Sequence, residues 1–372
     1  MLRIAHLTHA FEHPFPRTST KRVGLVLAGL ALAVFLGACS GALPSNSWPG
    51  LSASATTAYM ADGQYVFAID VQNGTLRWRY PDKAAAGTTF YSNPALTADG
   101  RLALTSSDKS VHLVDATSGT VVWKMPLGRE PFVAPALALG ESLYAPAGNG
   151  TLYALNAADG ATRWTFSATH AIWSAPVPLG ELLYVASLDH NLYAVRAANG
   201  QLAWSRDLGA ALAGGPAVAN DLVLIGTFDG RVVALDAAHG REVWTSQAKG
   251  WVWGAPVVVG ESAIFGDLSG GLQAVELSSG RTLWQVRLDS PVRATPFAEA
   301  GLIYIGTEAG TAYALDAADG TIRWQQSVGG KLYGDPLLAG GKLLFTVLES
   351  ESPLVALDPQ NGAKLWGFIP PK

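Results

Sequence analysis

Residues 152–164 read Leu-Tyr-Ala-Leu-Asn-Ala-Ala-Asp-Gly-Ala-Thr-Arg-Trp, and residues 312–324 read Ala-Tyr-Ala-Leu-Asp-Ala-Ala-Asp-Gly-Thr-Ile-Arg-Trp. Each is an apolar alternating run, an Asp-Gly turn, and a second run restarting on Trp, which is the pattern of a β-hairpin. Working outward from these two copies, the same frame recurs along the chain. Eight tryptophans hold it: Trp78, Trp123, Trp164, Trp204, Trp244, Trp284, Trp324 and Trp366, spaced 40 to 45 residues apart. Four residues before each stands Gly74, Gly119, Gly160, Gly200, Gly240, Gly280, Gly320 or Gly362. Eight before each stands Asp70, Asp115, Asn156, Arg196, Asp236, Glu276, Asp316 or Asp358. A proline precedes each Trp by 28 to 30 residues: Pro49, Pro94, Pro135, Pro176, Pro216, Pro256, Pro296 and Pro336. A fixed period of this length marks a repeat architecture whose units bury their faces only against one another.

Each unit has room for four short strands. In the sixth copy the pattern predicts strands at 256–259, 262–265, 271–276 and 281–288, joined by Gly-bearing turns. The fold class that follows is all-β: an eight-bladed β-propeller of four-stranded antiparallel blades over residues 49–372. The recurring Asp or Asn is expected to accept turn N–H groups through its side chain. The Trp is expected to bury its ring against the neighbouring blade.

Composition agrees and narrows the function. Half of the 372 residues are hydrophobic and 15% are charged, with 41 Gly and 21 Pro. That is a packed, turn-rich chain and not a disordered one. Net charge is −4, and residues 1–38 hold four Lys/Arg against one acid, leaving 21 positive and 28 negative side chains in the remainder. This balance argues against nucleic acid as a partner, since phosphate recognition needs a basic face.

The first forty residues read as an address. Lys21-Arg22 precede an apolar run, Val23 to Leu36, that ends in Leu36-Gly37-Ala38-Cys39. A basic flank, a short apolar core and small residues at its end fit a secretory signal over 1–38 with a long n-region. The run falls short of the roughly 20 apolar residues of a spanning helix; an uncleaved membrane anchor is the alternative. The ending resembles the bacterial lipobox, which implies cleavage before Cys39, lipidation of its thiol, and 39–48 as a tether. On that resemblance, Ser40 permits outer-membrane sorting. Cys39 is the only cysteine, so no intrachain disulfide forms.

The Trp-ending repeat resembles that of PQQ-type propellers, the superfamily of quinoprotein dehydrogenases and of the BamB-type lipoprotein of outer-membrane barrel assembly. WD40 repeats share the length, but no copy here ends in Trp-Asp. For the dehydrogenases the resemblance implies PQQ over a Trp floor, under a vicinal disulfide, beside Ca²⁺. The vicinal cysteines are absent and no calcium set is evident, so PQQ is possible by family but unsupported by site residues, and no cofactor is expected. The four histidines of the mature part (His112, His170, His190, His239) show no metal-ligand spacing. No catalytic constellation stands out, and the chain reads as a non-enzyme.

Where repeat residues build the fold, off-pattern residues are the place to look for binding. Three before the repeat Pro stand Asn46, Tyr91, Phe132, Trp173, Ala213, Trp253, Arg293 and Tyr333, on the loops that enter each inner strand. They are expected to ring one mouth of the central channel, with Trp251 nearby. Tyr91, Phe132, Trp173, Trp251, Trp253, Arg293 and Tyr333 are therefore the candidate binding set, although the same residues could simply plug the channel. The turns at Asp108, Asn149, Asp189 and Asp229 are expected on the same face as a polar, acidic rim. The expected function is a lipid-anchored envelope scaffold with protein partners. The alternative is a binding protein for PQQ, a quinone or a glycan, and less favoured still is a PQQ-dependent dehydrogenase.

Overall fold

The computed structural model describes residues 49–371, and these form an eight-bladed β-propeller. Each blade is a four-stranded antiparallel sheet whose strands follow one another in sequence order. Blade 4 is typical, with strands Val177–Leu179, Leu182–Ala186, Asn191–Arg196 and Leu202–Asp207. The predicted sixth copy is met closely by Val257–Val259, Ser262–Gly266, Gly271–Glu276 and Thr282–Arg287. The first strand of each blade is the innermost. That of blade 1 lies against its counterparts in blades 2 and 8, so the ring is closed. The second and third strands are almost wholly buried, whereas the fourth carries mostly exposed residues.

The hydrophobic core is divided into layers between blades. Leu192 and Ala194 of blade 4 pack on Val223, Ile225 and Leu235 of blade 5. The same arrangement joins Phe67 and Ile69 of blade 1 to Leu344, Leu354 and Phe368 of blade 8. A four-stranded sheet has two apolar faces, and only a neighbour on each side keeps both from water.

The repeated Trp makes each of these joints specific. Its Nε1–H donates to a carbonyl of the next blade at 2.8–3.2 Å in all eight cases, from Trp78 to Ala116 round to Trp366 to Val71. Its ring lies flat over the turn glycine of that next blade. A Cβ built on Gly200 would come within 2.5 Å of Trp164, and one on Gly362 within 2.6 Å of Trp324. These turn glycines also hold φ between +69° and +75°, a region that costs other residues energy. Asp70, Asp115, Asn156, Asp236, Asp316 and Asp358 accept turn amides through their side chains, as the sequence predicts. Beneath the Trp, the third strand places an Ala directly opposite in seven blades and Leu113 in blade 2.

Closure needs no strand exchange. The sequence leaves open whether residues 40–48 or the C-terminal tail completes the last sheet. The last blade is built from its own strands between Leu337 and Phe368, and the first begins at Gly50. The ring is sealed by the docking of Trp366 on Gly74, the same joint used between every other pair.

Candidate functional site

The loop entering each inner strand delivers one residue per blade to successive rings around the channel. Together they line a cavity of about 690 Å³ touched by all eight blades. Its outer ring contains Tyr91, Val133, Trp173, Ala213, Trp253, Arg293 and Tyr333 from blades 2 to 8. Asn46 and Cys39 lie outside the described residues.

Phe132 is a correction to this set. It is fully buried and packs on Tyr153 within the layer between blades 2 and 3. Strand pairing explains the error: Leu137 faces Tyr144 as Val177 faces Tyr184, so Ala136, not Pro135, occupies the repeat-proline position. The proline stands one residue early in this blade. Counting back from it lands on the buried position, equivalent to Ile172, Leu212 and Val252, and the lumen receives Val133 instead.

The aromatic members concentrate on blades 4, 6 and 8. Trp173 and Trp253 have ring centroids 6.3 Å apart. The Arg293 guanidinium lies 5.0 Å from the Trp253 ring and 5.1 Å from the Tyr333 ring, within cation–π range of both. Its charge is met by Glu308, which accepts from Nε. Trp251 is not in the lumen lining. It lies outside it, stacked on Phe228 at 5.1 Å and 12°, and Phe228 in turn touches Trp253 at 5.0 Å. Trp251 and Trp173 are 53% and 42% exposed, an uncommon state for so large an apolar side chain. Backbone packing fixes the loop that carries them. A side chain on Gly214 would place Cβ 2.1 Å from the Trp253 carbonyl oxygen, and one on Gly254 would meet Ala294 at 2.5 Å.

A second ring lies two residues further along each entry loop, and sequence inspection missed it. It holds Asn93, Pro135, Ala175, Gly215, Ala255, Thr295 and Asp335. The Asn93 side chain accepts from the Leu51 amide at 3.0 Å, Thr295 Oγ1 from the Ala255 amide at 3.1 Å, and Asp335 from the Thr295 amide at 2.6 Å. Asp335 is open to the lumen but ringed by protein. That enclosure pushes its pKa up to about 6, against the hydrogen bonds from Thr295 that favour the charged form. The signal was present in the sequence as a carboxylate directly before Pro336, where other copies carry small or neutral residues.

The turn between second and third strands does share this face, since Thr169 on an entry loop donates to Asp189 through both amide and hydroxyl. Lys109 and His190 take the left-handed conformation there that Gly150, Gly230 and Gly270 take in other blades, with φ of 67° and 77°. Cations balance two of the rim carboxylates, Asp108 and Asp229, whereas Asp189 keeps its charge among neutral donors. Asp108 pairs with Lys124 and with buried His112, whose other ring nitrogen meets the Tyr80 hydroxyl at 2.8 Å. Burial alone would raise the Asp108 carboxyl, but those bonds hold it well below the usual range. Asp229 pairs with Arg231. Burial would likewise raise Asp189, yet bonds from Tyr193, Thr169 and Asn191 keep it at about 2. Among the described residues no group of three or more His, Cys, Asp or Glu side chains converges to hold a metal ion.

With this geometry in hand, comparison with known proteins decides the family. The family model described as "Outer membrane protein assembly factor BamB" matches residues 107–211, 188–297 and 268–368. The chain belongs to this BamB-type propeller family. No curated protein sequence matches it. Among solved structures, BamB from Moraxella catarrhalis aligns with a TM-score of 0.71 at 18% identity, over 82% of this chain and 94% of that one. The computationally designed Ika8 protein aligns with a TM-score of 0.72 at 13% identity, over 87% and 98%. Quinohemoprotein alcohol dehydrogenase from Comamonas testosteroni aligns at 0.67 and 12%, over 86% and 73%. A scaffold this widely shared carries the fold and not the activity.

Proposed function

We propose that this chain is a non-enzymatic, lipid-anchored envelope protein whose channel-mouth face docks a protein partner, in the manner of its BamB-type family. The observation that carries the reading is the pair of exposed tryptophans, Trp173 and Trp251, joined through half-buried Phe228 and Trp253 into one aromatic cluster on a rigid ring. Exposed tryptophans backed by packed aromatics supply the kind of anchor that dominates protein interfaces. Cys39 lies outside the described residues; its lipidation, and export to the cell membrane or outer membrane, belong to the same proposal. Loss of Cys39 is expected to release the protein from the membrane fraction.

The cavity also supports a second reading, as a site for a small molecule. The quinone cofactor of the dehydrogenases that share this repeat does not fit it. PQQ is a planar tricarboxylate, while the lumen presents the Asp335 carboxylate and an Arg293 already paired with Glu308. No redox step is assigned to this chain. The docking reading is tested by co-purification of the intact lipoprotein from solubilised membranes. A barrel-assembly component should be recovered by the wild type and lost with a Trp173→Ala/Trp251→Ala double variant. Clean failure of the wild type to recover any such component would remove the assembly role.

A further inference from the structure

The channel cavity combines aromatic walls, of which the docking face shares Trp173, with a single carboxylate open to the lumen that the docking face does not use. We propose that this cavity is a binding site for an organic cation, an ammonium or guanidinium group seated at Asp335 with its apolar body along the lumen wall that includes Trp173.

The lining selects this chemistry over its competitors. A metal cation needs several oxygen ligands, and Asp335 has no second carboxylate beside it in its ring, which is otherwise Asn93, Thr295 and small or cyclic residues. A sugar would bring many hydroxyls. Yet the lumen surface is predominantly apolar, so many of those hydroxyls would be buried without partners. An anion would face the Asp335 carboxylate, and the guanidinium of Arg293 is balanced by Glu308. A weakly hydrated organic cation satisfies both parts of the site. Trp253 and Tyr333 already face the Arg293 guanidinium, but Trp173 keeps an exposed ring that attracts a cation through its quadrupole. A carboxylate set in a protein-lined lumen interacts with it more strongly than one in bulk water would. The same surroundings raise the Asp335 pKa by desolvation, and the partner that meets its carboxylate, Thr295, is neutral. The cavity, at about 690 Å³, has room for a diamine or for the basic side chain of an entering peptide.

The site shares Trp173 with the docking face but not Asp335, so a test on the purified protein with no partner present fails or succeeds separately from docking. Tryptophan fluorescence is followed on titration with cadaverine, tetramethylammonium, an acetylated lysine-tipped tetrapeptide, and 1,5-pentanediol as the neutral analogue of cadaverine. The expected result is saturable quenching by the cations, no saturation by the diol, and at least tenfold weaker binding to Asp335→Asn. That variant keeps an oxygen to accept the Thr295 amide, and thermal melting verifies that it is folded. Trp173→Leu, on the exposed wall, should weaken binding severalfold without altering the fold. Tighter binding of the tetrapeptide than of cadaverine identifies a docked side chain as the source of the cation, and the reverse order identifies a free amine. Equal affinity of wild type and folded Asp335→Asn, or absence of saturation with every cation, would overturn the proposal.

Discussion

The eight joints between blades and the seven described positions of the channel mouth are built from the same repeats and behave in opposite ways. At the joints, every copy repeats one arrangement: a Trp ring over a glycine with positive φ, and an indole N–H on the next blade's carbonyl. At the mouth no two neighbouring blades agree, and Tyr91, Val133, Trp173, Ala213, Trp253, Arg293 and Tyr333 follow one another around the ring. A closed ring tolerates little variation at its joints, because each must subtend the same angle. The mouth carries no such constraint, so its residues are free to serve recognition. Sameness marks folding here, and difference marks the surface where binding is to be sought.

Removing a joint should have the largest effect. Trp366→Ala deletes the ring and the indole bond that seal blade 8 to blade 1, and is expected to cost about 3 kcal/mol in denaturant unfolding. An equal loss from Trp204→Ala would sharpen the claim that closure uses the ordinary joint; a much larger loss at Trp366 would break it. Gly200→Ala comes next, at about 2 kcal/mol, since its Cβ meets Trp164 and its φ is +74°.

A smaller effect belongs to the rim. The folded-state pKa of Asp189 is depressed to about 2. Its contribution is therefore present above the unfolded carboxylate value near 4 and is lost as pH falls through about 2. Asp189→Asn should melt lower than wild type at neutral pH, with the gap narrowing below pH 4; a gap independent of pH would contradict the assignment. Least of all in stability is Trp251→Ala, expected within about 0.5 kcal/mol of wild type because the ring is half exposed.

Much of this organisation is legible in the sequence, because joint residues recur and recurrence is visible without coordinates. Trp, Gly and the turn Asp were each found by spacing, and the structure gives them the predicted roles. Site residues that do not recur were found only when they shared a column with those that do. Phe132 shows the limit of that method: a proline displaced by one residue moved the count onto a buried side chain, and only strand pairing reveals it. Phe228 and Glu308 escaped because they come from a different turn and meet Trp251, Trp253 and Arg293 only across space. Asp335 escaped because its neighbours in the ring are Gly, Ala and Thr, which drew no notice to the column.

The division of labour between joints and mouth is tested most directly by measuring melting temperature and partner recovery together for Trp366→Ala and for the Trp173→Ala/Trp251→Ala pair. The account predicts that the joint variant melts well below wild type while its folded fraction recovers partner normally. The mouth variant should melt with wild type and recover little. Loss of stability from the mouth variant, or normal partner recovery by it, would contradict the account.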